Sequence, residues 1–136
     1  MQLNIILLVI KTVHLMIEQK LIFVYNADSG LRNVIIDGAH KIFSPNTYAC
    51  NLCDITYGAF TENKIWKKFR QKTSMEMEFL HKDEFKNQYA SKFGNEFNYP
   101  IVLIAVNENL EAIVDTEELN NLQNAEELIE LIQQRT

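Results

Sequence analysis

Cysteine, proline, glycine and tryptophan are all scarce: 136 residues include 2 Cys, 2 Pro, 4 Gly and 1 Trp. Two cysteines cannot build the disulfide framework by which small secreted domains compensate for a thin core. So few glycines and prolines leave no interdomain linker or Pro-rich tract, and no internal repeat or low-complexity stretch is present. Basic charge is short as well. Thirteen Lys and Arg stand against eighteen Asp and Glu, a net charge of −5. No basic surplus exists to release counterions from a phosphate backbone, so no nucleic-acid partner is expected. Lys64, Lys67, Lys68, Arg70 and Lys72 do cluster, but at helical spacing such a run reads as the wet face of a helix. Long apolar runs are missing too. The longest, from Leu3 to Ile17, is too short for a bilayer and is interrupted by Lys11 and His14, so no stable transmembrane segment is expected.

What remains is an ordinary globular composition, 47% apolar and 23% charged, in a chain long enough for a real core. The amino terminus has neither the basic start nor the small-residue cleavage site of a signal peptide, and a cytoplasmic location is expected. Met16-Ile17-Glu18-Gln19-Lys20 looks like the opening of a compact domain. The expectation is that translation begins at Met16, with residues 1–15 an extension and residues 16–136 a single domain. An extra packed helix and a membrane-surface anchor are the alternatives.

Leu21 to Tyr25 is a continuous apolar run, the pattern of a central, parallel strand buried on both faces. Asp28 or Ser29 is placed to cap a helix running from Leu31 to Phe43, which Ser44-Pro45 stops. A second helix is expected from Thr61-Glu62 to Lys72-Thr73, with Ile65, Trp66 and Phe69 inward. Met75 to Leu80 alternates with period two, a strand with one polar face. Asp83-Glu84 opens a helix with Phe85, Tyr89 and Phe93 on one side, ended by Gly94. Ile101 to Val106, a turn at Asn107-Glu108-Asn109, and Leu110 to Val114 form a hairpin. Asp115 with Glu118 and Asn124 with Glu127 are capping-box patterns, and an amphipathic helix through Leu128, Ile129, Leu131 and Ile132 closes the chain.

The order β-α-(insert)-β-α-β-β-α, with Pro100 at the head of the last hairpin, resembles the thioredoxin-like superfamily over roughly residues 20–134. The resemblance implies a mixed central sheet of about four strands flanked by helices, with a helical insert carrying the cysteines. It also implies a site at the carboxyl end of the first strand, formed by Asp28, Ser29, Gly30 and a cis Pro100. Tyr25-Asn26-Ala27-Asp28-Ser29-Gly30 is similar to the strand-to-helix corner of the thiol-oxidoreductases named for an Asp-Cys-Cys motif. Ser29 and Arg32 stand here where those proteins have their cysteines. Tyr25 to Gly30, Ala39 to Pro45, Thr47 to Gly58 and Phe79 to Phe85 also resemble a group of small bacterial proteins, some labelled GTPase. No G-x-x-x-x-G-K-[ST] loop is present to cradle phosphates, so that activity gains nothing from the residues.

The distinctive stretch is Thr47 to Thr56, which holds both cysteines as Cys50-Asn51-Leu52-Cys53. The order of elements places this pair along the flank of the sheet or at its far end. C-x-x-C brings two sulfurs within reach of each other or of one metal. Three readings follow. In the first, Cys50 attacks a disulfide of a protein or small thiol partner and Cys53 resolves the intermediate; a helix starting at Ser44-Pro45 or Asn46-Thr47, Lys41 or His40 would lower the thiol pKa, and Asp54 would oppose it. No cofactor is then needed. In the second, Cys50, Cys53, His40 and His81 bind zinc. In the third, the cysteines are small core residues, Tyr48 and Tyr57 shield them, and Asp28-Ser29-Gly30 offers backbone N–H groups to an anion in a binding module.

Overall fold

The computed structural model describes residues 4–9, 19–29, 50–58, 61–93, 97–107 and 109–136. Four strands form one mixed sheet: β1 (Gln19–Tyr25), β2 (Glu76–His81), β3 (Ile101–Val106) and β4 (Asn109–Val114), in the order β2-β1-β3-β4. Among the described residues five helices accompany it: α1 (Asn51–Thr56), α2 (Lys64–Lys72), α3 (Lys82–Phe93), α4 (Thr116–Asn121) and α5 (Ala125–Arg135). Residues 4–9 form a further helical segment. The expected helix from Leu31 to Phe43 lies outside the described residues. So do its stop at Ser44-Pro45, Gly30, Arg32, His40, Lys41, Tyr48, Gly94, the Phe93 side chain and the proposed start at Met16.

β1 is central, as its unbroken apolar run implies. It is parallel to β2 on one side and antiparallel to β3 on the other, so the parallel expectation holds for one neighbour only. Both edges of β1 and both its faces are covered, which is why five successive residues can all be apolar. Alternate side chains enter separate cores. Leu21, Phe23 and Tyr25 join Leu52, Ile55, Trp66, Val102 and Leu128 on one face, while Ile22 and Val24 join Leu80, Phe85 and Leu103 on the other. The first core is centred on rings. Phe23 stacks on Phe79 at 4.9 Å between centroids and meets Trp66 edge-on at 5.3 Å. Such pairs add about 0.5–1.5 kcal/mol beyond the area they bury.

β2 shows why its polar alternation suits an edge. Met77 and Phe79 pack on the ring-rich core. On the other side, Glu78 accepts from the Tyr89 hydroxyl at 2.9 Å and lies 3.6 Å from Lys20, so its carboxylate is satisfied under α3. The β3–β4 hairpin forms as expected, with Asn107 at φ 56° in its turn and an irregularity between Val102 and Leu103. The Tyr99–Pro100 bond at the head of β3 is cis.

Helix boundaries follow their caps. α2 begins at Lys64, not at Thr61-Glu62, because the Asn63 side chain accepts from the N–H groups of both Ile65 and Trp66. Glu62 instead receives two bonds from the Arg70 guanidinium, both 2.9 Å. Trp66 is fully buried, whereas Ile65 is 47% exposed. Nine residues give one inward stripe, and Trp66 and Phe69 occupy it. Lys64, Lys67, Lys68 and Lys72 line the exposed side. Asp115 and Glu118 close the expected capping box. Asn124 caps α5, but the Glu127 carboxylate takes the N–H of Gln123 rather than that of Asn124, so this second box is only half formed.

Candidate functional site

Cys50 is non-helical, with φ −134° and ψ 80°, and serves as the N-cap of α1. Its Sγ accepts from the Cys53 N–H at 3.3 Å, while its carbonyl accepts from Asp54 at 3.2 Å. One helical turn later the chain returns Cys53 to the same side. The two sulfurs are bonded at 2.08 Å, with Cα atoms 5.3 Å apart. The three-residue spacing thus places the pair across the first turn of a helix, where i and i+3 side chains meet.

A six-residue helix is too short to persist alone in water, so its neighbours must hold it. Leu52 and Ile55 are buried in the ring-rich core. The Asn51 amide donates to the carbonyls of Leu119 and Leu122, at 2.6 and 2.8 Å, and ties α1 to the last turn of α4. The Thr56 hydroxyl, fully buried, donates back to Leu52 at 2.6 Å. Cys50 is itself part of this core, 8% exposed. Cys53 is half-buried, and Asp54, Tyr57 and Gly58 are exposed on the solvent side of α1. The pair therefore lies along one face of the sheet. Tyr57 is exposed, and its ring lies edge-on to Tyr25, with 6.4 Å between centroids.

Tyr25, the last residue of β1, is an orphan of this packing. Its hydroxyl is buried and makes no hydrogen bond among the described residues. Burial pushes the phenol pKa far up, and Tyr57 adds to the effect.

The corner after β1 is arranged differently from expectation. Both the N–H and the hydroxyl of Ser29 donate to the Asp83 carboxylate, at 2.8 and 2.5 Å. The backbone donor expected to await an external anion is thus already given to a carboxylate of this chain. Lys82 supports the same junction through its N–H to Ala27 at 3.0 Å and its ammonium to Asn26 at 3.4 Å. Burial raises the Asp83 pKa, but the Ser29 bonds and neighbouring backbone N–H groups outweigh it and hold the carboxyl below its ordinary value. Glu84 is held low chiefly by the His81 N–H and then by the His81 ring. His81 and Glu84 form a local pair at the end of β2.

Of the residues singled out from the sequence, the structure brings Cys50 to Cys53, Ser29 to Asp83, and His81 to Glu84. The α3 helix that carries Asp83 covers the opposite face of the sheet from α1 through Phe85. Pro100 is buried at the head of β3, one residue before Ile101, which pairs with Val24 near the carboxyl end of β1. Among the described residues no group of three or more His, Cys, Asp or Glu comes together to hold a metal. Sulfurs bonded to each other must first be reduced before they can ligate zinc. No helix among the described residues is long and apolar enough to cross a membrane. Asn51 escaped the sequence reading, and no local signal could have found it, since its partners lie 68 and 71 residues away. No protein-family model, curated protein or solved structure matches the chain.

Proposed function

We propose that this protein is a thiol–disulfide oxidoreductase of thioredoxin-like architecture, cycling Cys50 and Cys53 between a disulfide and a dithiol. The observation that carries the reading is the pair itself: two bonded sulfurs across the first turn of a helix, one of them on a residue only partly buried. Two features support the architecture. In the sheet order β2-β1-β3-β4, β3 runs opposite to the other three described strands, and Pro100 stands at the head of β3. The partner would be a protein or small thiol, and the exchange needs no cofactor. The chemistry departs from the resemblance in its location, because the sulfurs sit on α1 and the corner at Ser29 carries none.

The deep burial of Cys50 favours a second reading, in which the disulfide is a structural staple across the first turn of α1 in a binding module. Reduced thiolates joined by His81 and His40 would give a third, a zinc site. One experiment separates them. Protein purified without reductant or chelator is weighed intact under native and then denaturing conditions, and assayed for reduction of a model protein disulfide by dithiothreitol. The redox reading expects a two-hydrogen deficit that reductant restores, and turnover that Cys50→Ser and Cys53→Ser each abolish. An unchanged rate in Cys50→Ser rejects it. A disulfide without turnover selects the staple, and a metal adduct lost on denaturation selects zinc.

A further inference from the structure

The two sulfurs are not equivalent. Cys50 is 8% exposed and belongs to the buried core, whereas Cys53 is half-buried at its margin. Its neighbours on α1 sharpen the asymmetry. Tyr57, four residues after Cys53, is exposed and Thr56, three after it, is fully buried, so Cys53 lies at the edge of the buried face of the helix. Leu52 and Ile55 face inward. The Cys50 sulfur also accepts the Cys53 N–H at 3.3 Å. A hydrogen bond from a backbone N–H favours the charged form of the acceptor, so this sulfur is the better placed to carry the electron pair when the bond breaks.

Thiol–disulfide exchange requires the incoming thiolate to reach one sulfur while the other departs, and access decides which sulfur is attacked. Resting on the redox reading above, we propose that Cys53 is the sulfur that exchanges with the partner, and that Cys50 is the buried sulfur that leaves and resolves. Reduction then runs in two steps. A partner thiolate attacks Cys53 Sγ; the new sulfur–sulfur bond joins partner and Cys53, the Cys50–Cys53 bond breaks, and its electron pair goes to Cys50 as a thiolate. A second partner thiolate attacks the partner sulfur of this mixed disulfide, releasing the oxidised partner and the Cys53 thiolate, and both thiolates take protons from water. Two thiols are oxidised to one disulfide as one disulfide is reduced to two thiols. In the reverse direction the Cys53 thiolate attacks a substrate disulfide, one substrate sulfur leaves as a thiolate, and Cys50 closes the ring by displacing the other. This order inverts the one expected from the sequence, where Cys50 was to attack and Cys53 to resolve.

The test uses the full chain, reduced with dithiothreitol and then freed of it. A short pulse of iodoacetamide is given without denaturant at about pH 9, above the ordinary thiol pKa, so that access more than ionisation sets the order. The remaining thiol is blocked with N-ethylmaleimide after denaturation, and fragment masses locate each label. The expected result is carbamidomethylation of Cys53 at least about tenfold faster than of Cys50. In a second measurement Cys50→Ser should form its glutathione adduct with glutathione disulfide at least about tenfold faster than Cys53→Ser. Wild-type labelling keeps the question answerable if either variant misfolds. Cys50 labelled first, or both equally, would overturn the assignment while leaving the redox reading intact. A disulfide that persists in dithiothreitol until the protein is denatured would overturn both.

Discussion

Trp66 and Asp83 show two ways in which a single side chain serves this fold. Trp66 is fully buried among Phe23, Phe69 and Phe79, yet its indole N–H has no hydrogen bond among the described residues. Its contribution is therefore volume and ring contact. Trp66→Ala should cost about 3–5 kcal/mol. Trp66→Phe should cost less than half as much, because it keeps a ring and removes an unsatisfied donor; urea midpoints of the two variants decide this. Asp83 acts through charge. Its depressed pKa, with those of Glu84 and Glu118, means that the folded state binds protons less readily than the unfolded chain. The stability from these carboxylates is fully present above their ordinary range, about pH 4, and is lost as pH falls through and below it. The urea midpoint should stay level from pH 7 to about 5 and decline toward pH 3. Ser29→Ala should make that decline shallower, since it removes a bond that favours the Asp83 carboxylate. An equal slope would show that the hydroxyl does not hold Asp83 low.

At the scale of elements, caps and ties matter more than intrinsic helix preference. α4 is six residues long and opens on the Asp115–Glu118 box. Glu118 also receives the Arg135 guanidinium, at 2.9 and 2.6 Å, which brings the end of α5 to the start of α4. Asp115→Ala should cost about 1 kcal/mol by denaturant unfolding, the usual value of a lost N-cap. Asn51→Ala should also cost about 1–2 kcal/mol, by removing two hydrogen bonds that join α1 to α4. This loss carries a second expected outcome: faster iodoacetamide labelling of Cys50 in the reduced protein, because α1 then lacks its tie to α4. The amino-terminal helical segment is the contrast. Ile5 to Val9 are 53–64% exposed, so little apolar area is withdrawn from water there. Replacing Ile5, Ile6, Leu7 and Val9 with Ala should therefore shift Tm by no more than about 2 °C.

For the whole molecule, the alternation between faces reveals which parts of the fold were readable in advance. The β1 run, the β2 alternation and the β3–β4 hairpin were legible because each pattern spans adjacent residues and matches the strand period. The Asp115 box was legible for the same reason: its partners are three residues apart. Where several local solutions compete, tertiary contacts choose among them. Asn63 took the start of α2 from Thr61-Glu62, and Gln123 took the Glu127 carboxylate from Asn124. Ile65 turned outward because a short helix has room for one inward stripe. The candidate site divides along the same line. That Cys50 and Cys53 meet follows from their spacing. That Cys50 is the enclosed member depends on α1 packing beneath Asn51's bonds to residues 68 and 71 positions away.

By itself, then, the sequence determined periodicity, capping and the meeting of two sulfurs, all of which are set by neighbours within about a helical turn. Tertiary structure alone decided the sheet order, the two cores, the closure of Ser29 onto Asp83 and the unequal exposure of the cysteines. Those properties arise between segments far apart in the chain. Their partners are chosen by shared burial and by hydrogen bonds that no local pattern encodes.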